Sequence, residues 1–184
     1  MEQGADSVVG IDISQRMLDI ARKKTHFSQV VYHCLTMEDM KFPNDSFDIV
    51  LSSLALHYVA DYEEIVRKVN AYLCPGGSFV FSVEHPVFTA YGNQDWIYDD
   101  AGNILHFPVD HYYEEGKRKA VFLGEKVIKF HRTLTTYLEG LCNHGFELIR
   151  VVEPKPPASM LDTVPGMKDE MRRPMMLIVS ARKK

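Results

Sequence analysis

The chain has 184 residues, 46% hydrophobic and 25% charged, with a formal net charge of −4. That is enough for one domain with its own core, and the slight acidity excludes nucleic acid as the main partner, since phosphate binding asks for a basic face. The cysteines Cys34, Cys74 and Cys142 form no CxxC pair, Met1 to Asp6 is acidic and polar, and no apolar run nears the roughly 20 residues of a membrane span, so a reduced cytoplasmic protein without structural metal, leader or membrane segment is expected.

Ser7-Val8-Val9-Gly10-Ile11-Asp12 is a β-branched run ending in an acid and predicts a buried strand. Ser14 caps a following helix, with Met17, Leu18 and Ala21 at helical spacing and Arg22, Lys23 and Lys24 in the last turn, where the helix dipole favours cations. Gln29 to Cys34 reads as a second strand, Phe42 to Ser46 as a turn, and Phe47 to Ser52 as a third strand. Tyr62 to Leu73 is an amphipathic helix closed by Pro75-Gly76-Gly77, ahead of a fourth strand at Ser78 to Val83. Strands joined by helical crossovers predict an α/β, doubly wound, mostly parallel sheet covered on both faces.

Periodicity is lost over about residues 85–120. The segment holds Tyr91, Trp96, Tyr98, Tyr112 and Tyr113 among turn residues, and reads as an ordered cap inserted into a single domain spanning 1–184. Val121 to Phe130 reads as extended, Thr133 to Asn143 as a helix ended by Gly145, Phe146 to Glu153 as a strand, 155–174 as a loop and Met175 to Ala181 as a last strand. The short basic clusters at 117–119 and 182–184 read as a solvated loop and a solvated tail.

Four features in order carry a family resemblance: Val9 to Ser14 with Met17-Leu18; Thr36-Met37-Glu38-Asp39-Met40-Lys41-Phe42-Pro43; Ser52-Ser53-Leu54-Ala55-Leu56-His57-Tyr58; and Leu73-Cys74-Pro75-Gly76-Gly77. Together they resemble the class I S-adenosylmethionine-dependent methyltransferases. The resemblance implies a Rossmann-like sheet with an antiparallel last strand, S-adenosylmethionine as cofactor and a small-molecule methyl acceptor. It assigns cofactor contacts to Asp12, whose carboxylate would take the two ribose hydroxyls, to Ile13 and Met17 beside it, to Thr36, Met37 and Glu38 around the adenine, and to Ser52 and Leu54 beneath the sulfonium. Thr36 stands where the family commonly has an acid, keeping an acceptor but not the charge. His85 and then His57 are the candidates for a base near the acceptor. Trp96, Tyr98, Tyr112 and Arg132 are the candidate substrate contacts. For each of these side chains a structural hydrogen bond is the competing reading. The histidines show no metal-ligand spacing, so no metal site is expected.

The family's glycine-rich loop, Asp-x-Gly-x-Gly-x-Gly after a first and central strand, has no counterpart in the 184 residues. The expectation is a chain truncated at its N-terminus, with Met1 to Ala5 as the end of the helix after that loop and with two strand edges unpaired. Two alternatives stand beside methyl transfer: a noncatalytic partner subunit, homo-oligomeric through those edges, and a nicotinamide-dependent oxidoreductase.

Overall fold

In the computed structural model, which describes residues 4–122 and 124–184, the first β-branched run is strand β1 (Val8–Asp12). It pairs in parallel with β2 (Val30–Cys34), from Val8↔Val30 to Asp12↔Cys34, across helix α1 (Gln15–Lys24). Ser14 Oγ accepts the Met17 N–H as predicted, and Arg22, Lys23 and Lys24 occupy the last turn. Gly10 is needed for close approach: a Cβ there would stand 2.7 Å from Tyr32 Cδ1, and the Tyr32 hydroxyl is held by Thr25 Oγ1 at 2.7 Å. These elements lie in one compact unit ending at Phe42; a second unit runs from Pro43 to Lys184. The helix end expected at Met1 to Ala5 falls, for residues 1–3, outside the described residues, and Gly4 has a positive φ of 90°.

The second unit holds a four-stranded mixed sheet. Strand β3 (Phe47–Ser53) runs parallel to β4 (Leu73–Glu84); β10 (Met176–Lys183) is antiparallel to β4 and to β9 (Phe146–Val152), giving the order β3-β4-β10-β9. The last strand is therefore antiparallel and lies between two others, as the resemblance implies. The β3–β4 crossover carries a 3-10 turn (Leu56–Tyr58) and α2 (Tyr62–Tyr72), whose N-cap Asp61 accepts the Glu64 N–H at 2.9 Å. Helix α4 (Leu134–Asn143) starts at cap Thr133, and Gly145 follows it at φ 83°. Phe79, Phe81 and Val83 alternate inward along β4 and meet Tyr62, Ile65, Val66 and Val69 of α2 and Tyr137 and Leu141 of α4, all buried. Each large apolar side chain buried there stabilises the fold by about 1.5–3 kcal/mol before entropy is charged against it. Tyr62 adds a buried bond to the Tyr137 carbonyl at 2.8 Å.

Several expectations are corrected. Strand β4 starts at Leu73, so Pro75-Gly76-Gly77 lies inside it; a Cβ at Gly77 would sit 2.8 Å from the Cys74 carbonyl, and the register with β3 shifts between Phe47 and Ile49. The cap is built from α3 (Pro86–Thr89) and a hairpin of β5 (Ile97–Tyr98) with β6 (Ile104–His106). The single extended segment expected at 121–130 is the second half of a longer hairpin, β7 (Gly116–Phe122) with β8 (Glu125–His131). The 117–119 cluster belongs to β7, where Arg118 ties cap to hairpin through the Ala90 carbonyl at 2.8 Å and the His111 carbonyl at 3.2 Å. The basic tail is not free either, because Lys183 Nζ in β10 bonds Asp45 Oδ1 at 2.8 Å and the Leu73 carbonyl at 2.7 Å. Short helices α5 (Ala158–Leu161) and α6 (Met167–Glu170) interrupt the predicted loop.

Within the second unit both long helices pack on the Phe79/Phe81 face. Ile49 and Leu51, in register with Ser78 and Val80 on the opposite face, are 60% and 74% exposed, so coverage of both faces is not seen within this unit. Among the described residues β1 pairs with β2 alone and β3 with β4 alone. No described helix is long and apolar enough to cross a membrane.

Candidate functional site and family

Parallel strands present ligand-binding loops at their carboxyl ends. In the first unit Asp12 closes β1. Its Oδ1 accepts the Ser14 N–H at 2.7 Å at the start of α1. Ile13 and Met17 beside it are exposed apolar side chains, and Met37 is half-buried. Thr36 turns its hydroxyl to Asp39, donating to Oδ2 at 2.8 Å while accepting the Asp39 N–H at 3.2 Å. A neighbouring acid thus shares the turn in which Thr36 replaces one.

In the second unit the carboxyl end of β3 is strained and unsatisfied. Leu54 has φ 50°, a left-handed conformation that disfavours any residue with a Cβ, and its N–H is held by the Ser82 carbonyl at 2.9 Å and Ser82 Oγ at 3.1 Å. Ser52 Oγ is buried without a hydrogen-bond partner. Its place in register with Phe81 explains the burial.

His57 follows in the 3-10 turn, buried, with Nδ1 accepting the Glu84 N–H at 3.3 Å. A ring that accepts at Nδ1 carries its proton on Nε2 when neutral. Burial pushes its pKa down to about 4, against the pull of Glu84 and with help from Lys129 and Arg132. At neutral pH His57 is therefore an uncharged N–H donor. Behind it lies a cluster not anticipated from sequence: Lys129 Nζ, in a side chain 2% exposed, bonds Glu84 Oε1 at 2.6 Å and Gln94 Oε1 at 2.7 Å, while Gln94 Nε2 donates to Glu84 Oε2 at 2.6 Å. Gln94 is itself left-handed, with φ 61°.

His85 caps α3, its Nδ1 accepting the Val87 N–H at 3.1 Å. Its Nε2 lies 2.8 Å from Glu153 Oε1 but out of hydrogen-bond alignment. Burial lowers its pKa and Glu153 pulls it back up. Arg132 is buried over the Tyr62 ring, with its guanidinium on the carbonyls of Leu56, Val59 and Ala60. Those donors hold the turn that carries His57. Tyr112 accepts the Leu134 N–H at 3.2 Å at the start of α4 and packs against His131. Tyr98 is exposed, its hydroxyl 3.4 Å from Asp95 Oδ1.

The four predicted substrate residues do not converge. Trp96 lines a cleft of about 250 Å³, whereas Arg132 lines another of about 240 Å³, and the two share no lining residue. No group of three or more metal-ligating side chains occurs among the described residues.

Comparison with known proteins decides the family. Residues 1–81 match the family model described as a methyltransferase domain. The crystal structure of a Listeria monocytogenes protein described as an S-adenosylmethionine-dependent methyltransferase is 51% identical, covers 100% of this chain and 82% of its own, and superposes with a TM-score of 0.95. The chain belongs to the class I S-adenosylmethionine-dependent methyltransferases. A second methyltransferase structure, from Mesorhizobium loti, is 41% identical over 99% of this chain and 83% of its own, with a TM-score of 0.89. The demethylmenaquinone methyltransferase of Tropheryma whipplei is 38% identical over 81 residues, and the chain spans only 34% of that relative. Methyl transfer is thus this chain's reaction class and S-adenosylmethionine its cofactor. The chemistry of the donor set agrees. In the first unit Asp12 accepts a backbone bond at one carboxylate oxygen and exposed apolar side chains flank it, a combination that fits a ribose and an adenine ring.

Proposed function

We propose that this methyltransferase acts on a small-molecule acceptor and that its first unit supplies adenosine contacts of the cofactor site. The observation that carries the reading is the Asp12 carboxylate at the carboxyl end of β1, which gives one oxygen to the Ser14 N–H beside the exposed apolar side chains of Ile13 and Met17. In the first unit Asp12 would accept the ribose hydroxyls, with Ile13, Met17 and Met37 as apolar contacts for the base and Thr36 and Glu38 at its polar edge. In the second unit Ser52 and Leu54 would border the sulfonium. When bound, the cofactor supplies a methyl group already activated by positive charge, so alignment and exclusion of water are the protein's main tasks.

His57, neutral and protonated at Nε2, would orient the acceptor as a donor. His85 would take part in proton transfer only by giving up its bond to the Val87 N–H. Trp96 and Tyr98 would contact the acceptor within the cap, with Tyr112 and Arg132 as support for α4 and for the His57 turn. The organisation is one methyltransferase domain acting in the cytoplasm.

The test is a calorimetric comparison of S-adenosylhomocysteine with 5′-methylthioadenosine, which lacks the amino-acid end. With no glycine loop in the 184 residues, the two should bind within about tenfold of each other, a gap of about 1.4 kcal/mol. A preference above about a hundredfold for S-adenosylhomocysteine would show that the chain grips the methionine end as well.

A further inference from the structure

The cleft around Trp96 combines apolar walls with basic side chains. Trp96, Phe107 and Val109 form apolar walls, and the polar groups on its lining are His106, Arg172 and Arg173. No acidic side chain is among the lining residues. The lining is apolar with two guanidinium groups, each already paired with a carboxylate, and the exposed Arg172 is the one that can offer further N–H donors to an oxyanion on a compact apolar body.

The guanidinium groups are preorganised. The Arg173 side chain is 6% exposed, its Cζ 4.5 Å from the Phe88 ring centroid, 4.9 Å from Trp96 and 4.6 Å from Phe107. Glu170 takes its two terminal nitrogens at 2.8 and 3.1 Å and Nε is closed to solvent, so Arg173 holds the aromatic wall of the cleft. Arg172 is fixed by the Leu105 carbonyl at 2.6 Å and Asp169 at 3.2 Å, with its Cζ 5.1 Å from the Trp96 centroid. Little side-chain freedom remains to be lost when an anion arrives.

Position links the cleft to chemistry. His85 N–H donates to the Met175 carbonyl at 2.9 Å, and Met176 pairs with Glu84, so Arg173 and Pro174 enter beside the carboxyl end of β4. Leu54 is bonded to Ser82 on the same end of that strand. The volume, about 250 Å³, equals about eight waters at ~30 Å³ each, enough for one substituted six-membered ring.

We propose that this cleft holds the carboxylate-bearing end of the methyl acceptor, a small apolar ring acid. The inference rests on the methyltransferase reading for its role in the reaction, but its binding chemistry can be tested alone. Trp96 is the single tryptophan of the chain, so intrinsic tryptophan fluorescence reports on this cleft.

Cyclohexanecarboxylate, cyclohexanecarboxamide and inorganic phosphate serve as probes, with S-adenosylhomocysteine calorimetry on the same sample. The carboxylate should shift Trp96 emission saturably with a Kd of about millimolar or tighter, the carboxamide should bind at least about tenfold more weakly, and phosphate should have no effect. Arg172→Gln, at an exposed position, should weaken the carboxylate at least about fivefold. Equal binding of carboxamide and carboxylate, phosphate matching the carboxylate, or no effect of Arg172→Gln would overturn the proposal. Cofactor binding without carboxylate binding would also overturn it while leaving the methyltransferase reading intact. Carboxylate binding without cofactor binding would keep the anion cleft and overturn its role as an acceptor site.

Discussion

Lys129 Nζ stands 2.6 Å from Glu84 Oε1 in a position almost closed to water. A buried ion pair repays its desolvation only when all its hydrogen-bonding groups are met, and Gln94 bonds both partners here. Lys129→Met alone leaves the Glu84 carboxylate buried without its cation and should cost about 3–5 kcal/mol of stability. The double variant Lys129→Met/Glu84→Gln should cost clearly less than the sum of the single changes. Urea denaturation of the four proteins measures the coupling, and additive losses would show that the contact carries little energy.

The pair was invisible in the sequence for a physical reason. In β8 the apolar Ile128 is exposed and the charged Lys129 buried, the reverse of what a two-residue hydrophobic pattern predicts. Lys126 and Lys129 look alike locally; Glu84, 45 positions earlier, and Gln94 distinguish them. The end of β1 at Asp12, the Ser14 cap and the end of β3 near Ser52 were legible because strand ends and helix caps follow local rules. The hairpin of β7 and β8 was half-read because Lys117, Arg118 and Lys119 look like a solvated loop until Arg118 finds the carbonyls of Ala90 and His111.

His57 makes stability depend on pH. Its pKa is lowered from 6.5 to about 4 in the fold. Above 6.5 both states are neutral and the full contribution is present. As pH falls from 6.5 towards 4, the unfolded chain takes up a proton that the buried ring refuses, so stability drops; below 4 both states carry it. Between pH 7.5 and 5 this group should account for about 2 kcal/mol. His85 and His131 are lowered in the same direction by burial, so the readout is the difference between the wild type and His57→Gln. The variant should show a shallower decline on acidification, and identical slopes would contradict the buried, neutral His57.

Leu54 tests the strain at the end of β3. A left-handed residue with a Cβ costs about 1–2 kcal/mol. Leu54→Gly relieves that cost and loses a partly exposed side chain, so the net change should stay within about 1 kcal/mol. Leu54→Val puts a β-branched residue in the same conformation and should lower stability by about 1 kcal/mol or more. Thermal denaturation compares the two; a valine variant as stable as the wild type would contradict the left-handed assignment.

The proposed role of Asp12, anchoring the adenosine end of S-adenosylmethionine, is tested by isothermal calorimetry with S-adenosylhomocysteine on the wild type and Asp12→Asn. Asparagine keeps an acceptor for the Ser14 N–H, so the thermal midpoint should hold. The wild type should bind tighter than about millimolar and Asp12→Asn should lose about tenfold or more, the cost of removing a charge-assisted pair of hydrogen bonds. Wild-type binding no tighter than about millimolar, or equal affinity in the variant, would contradict it.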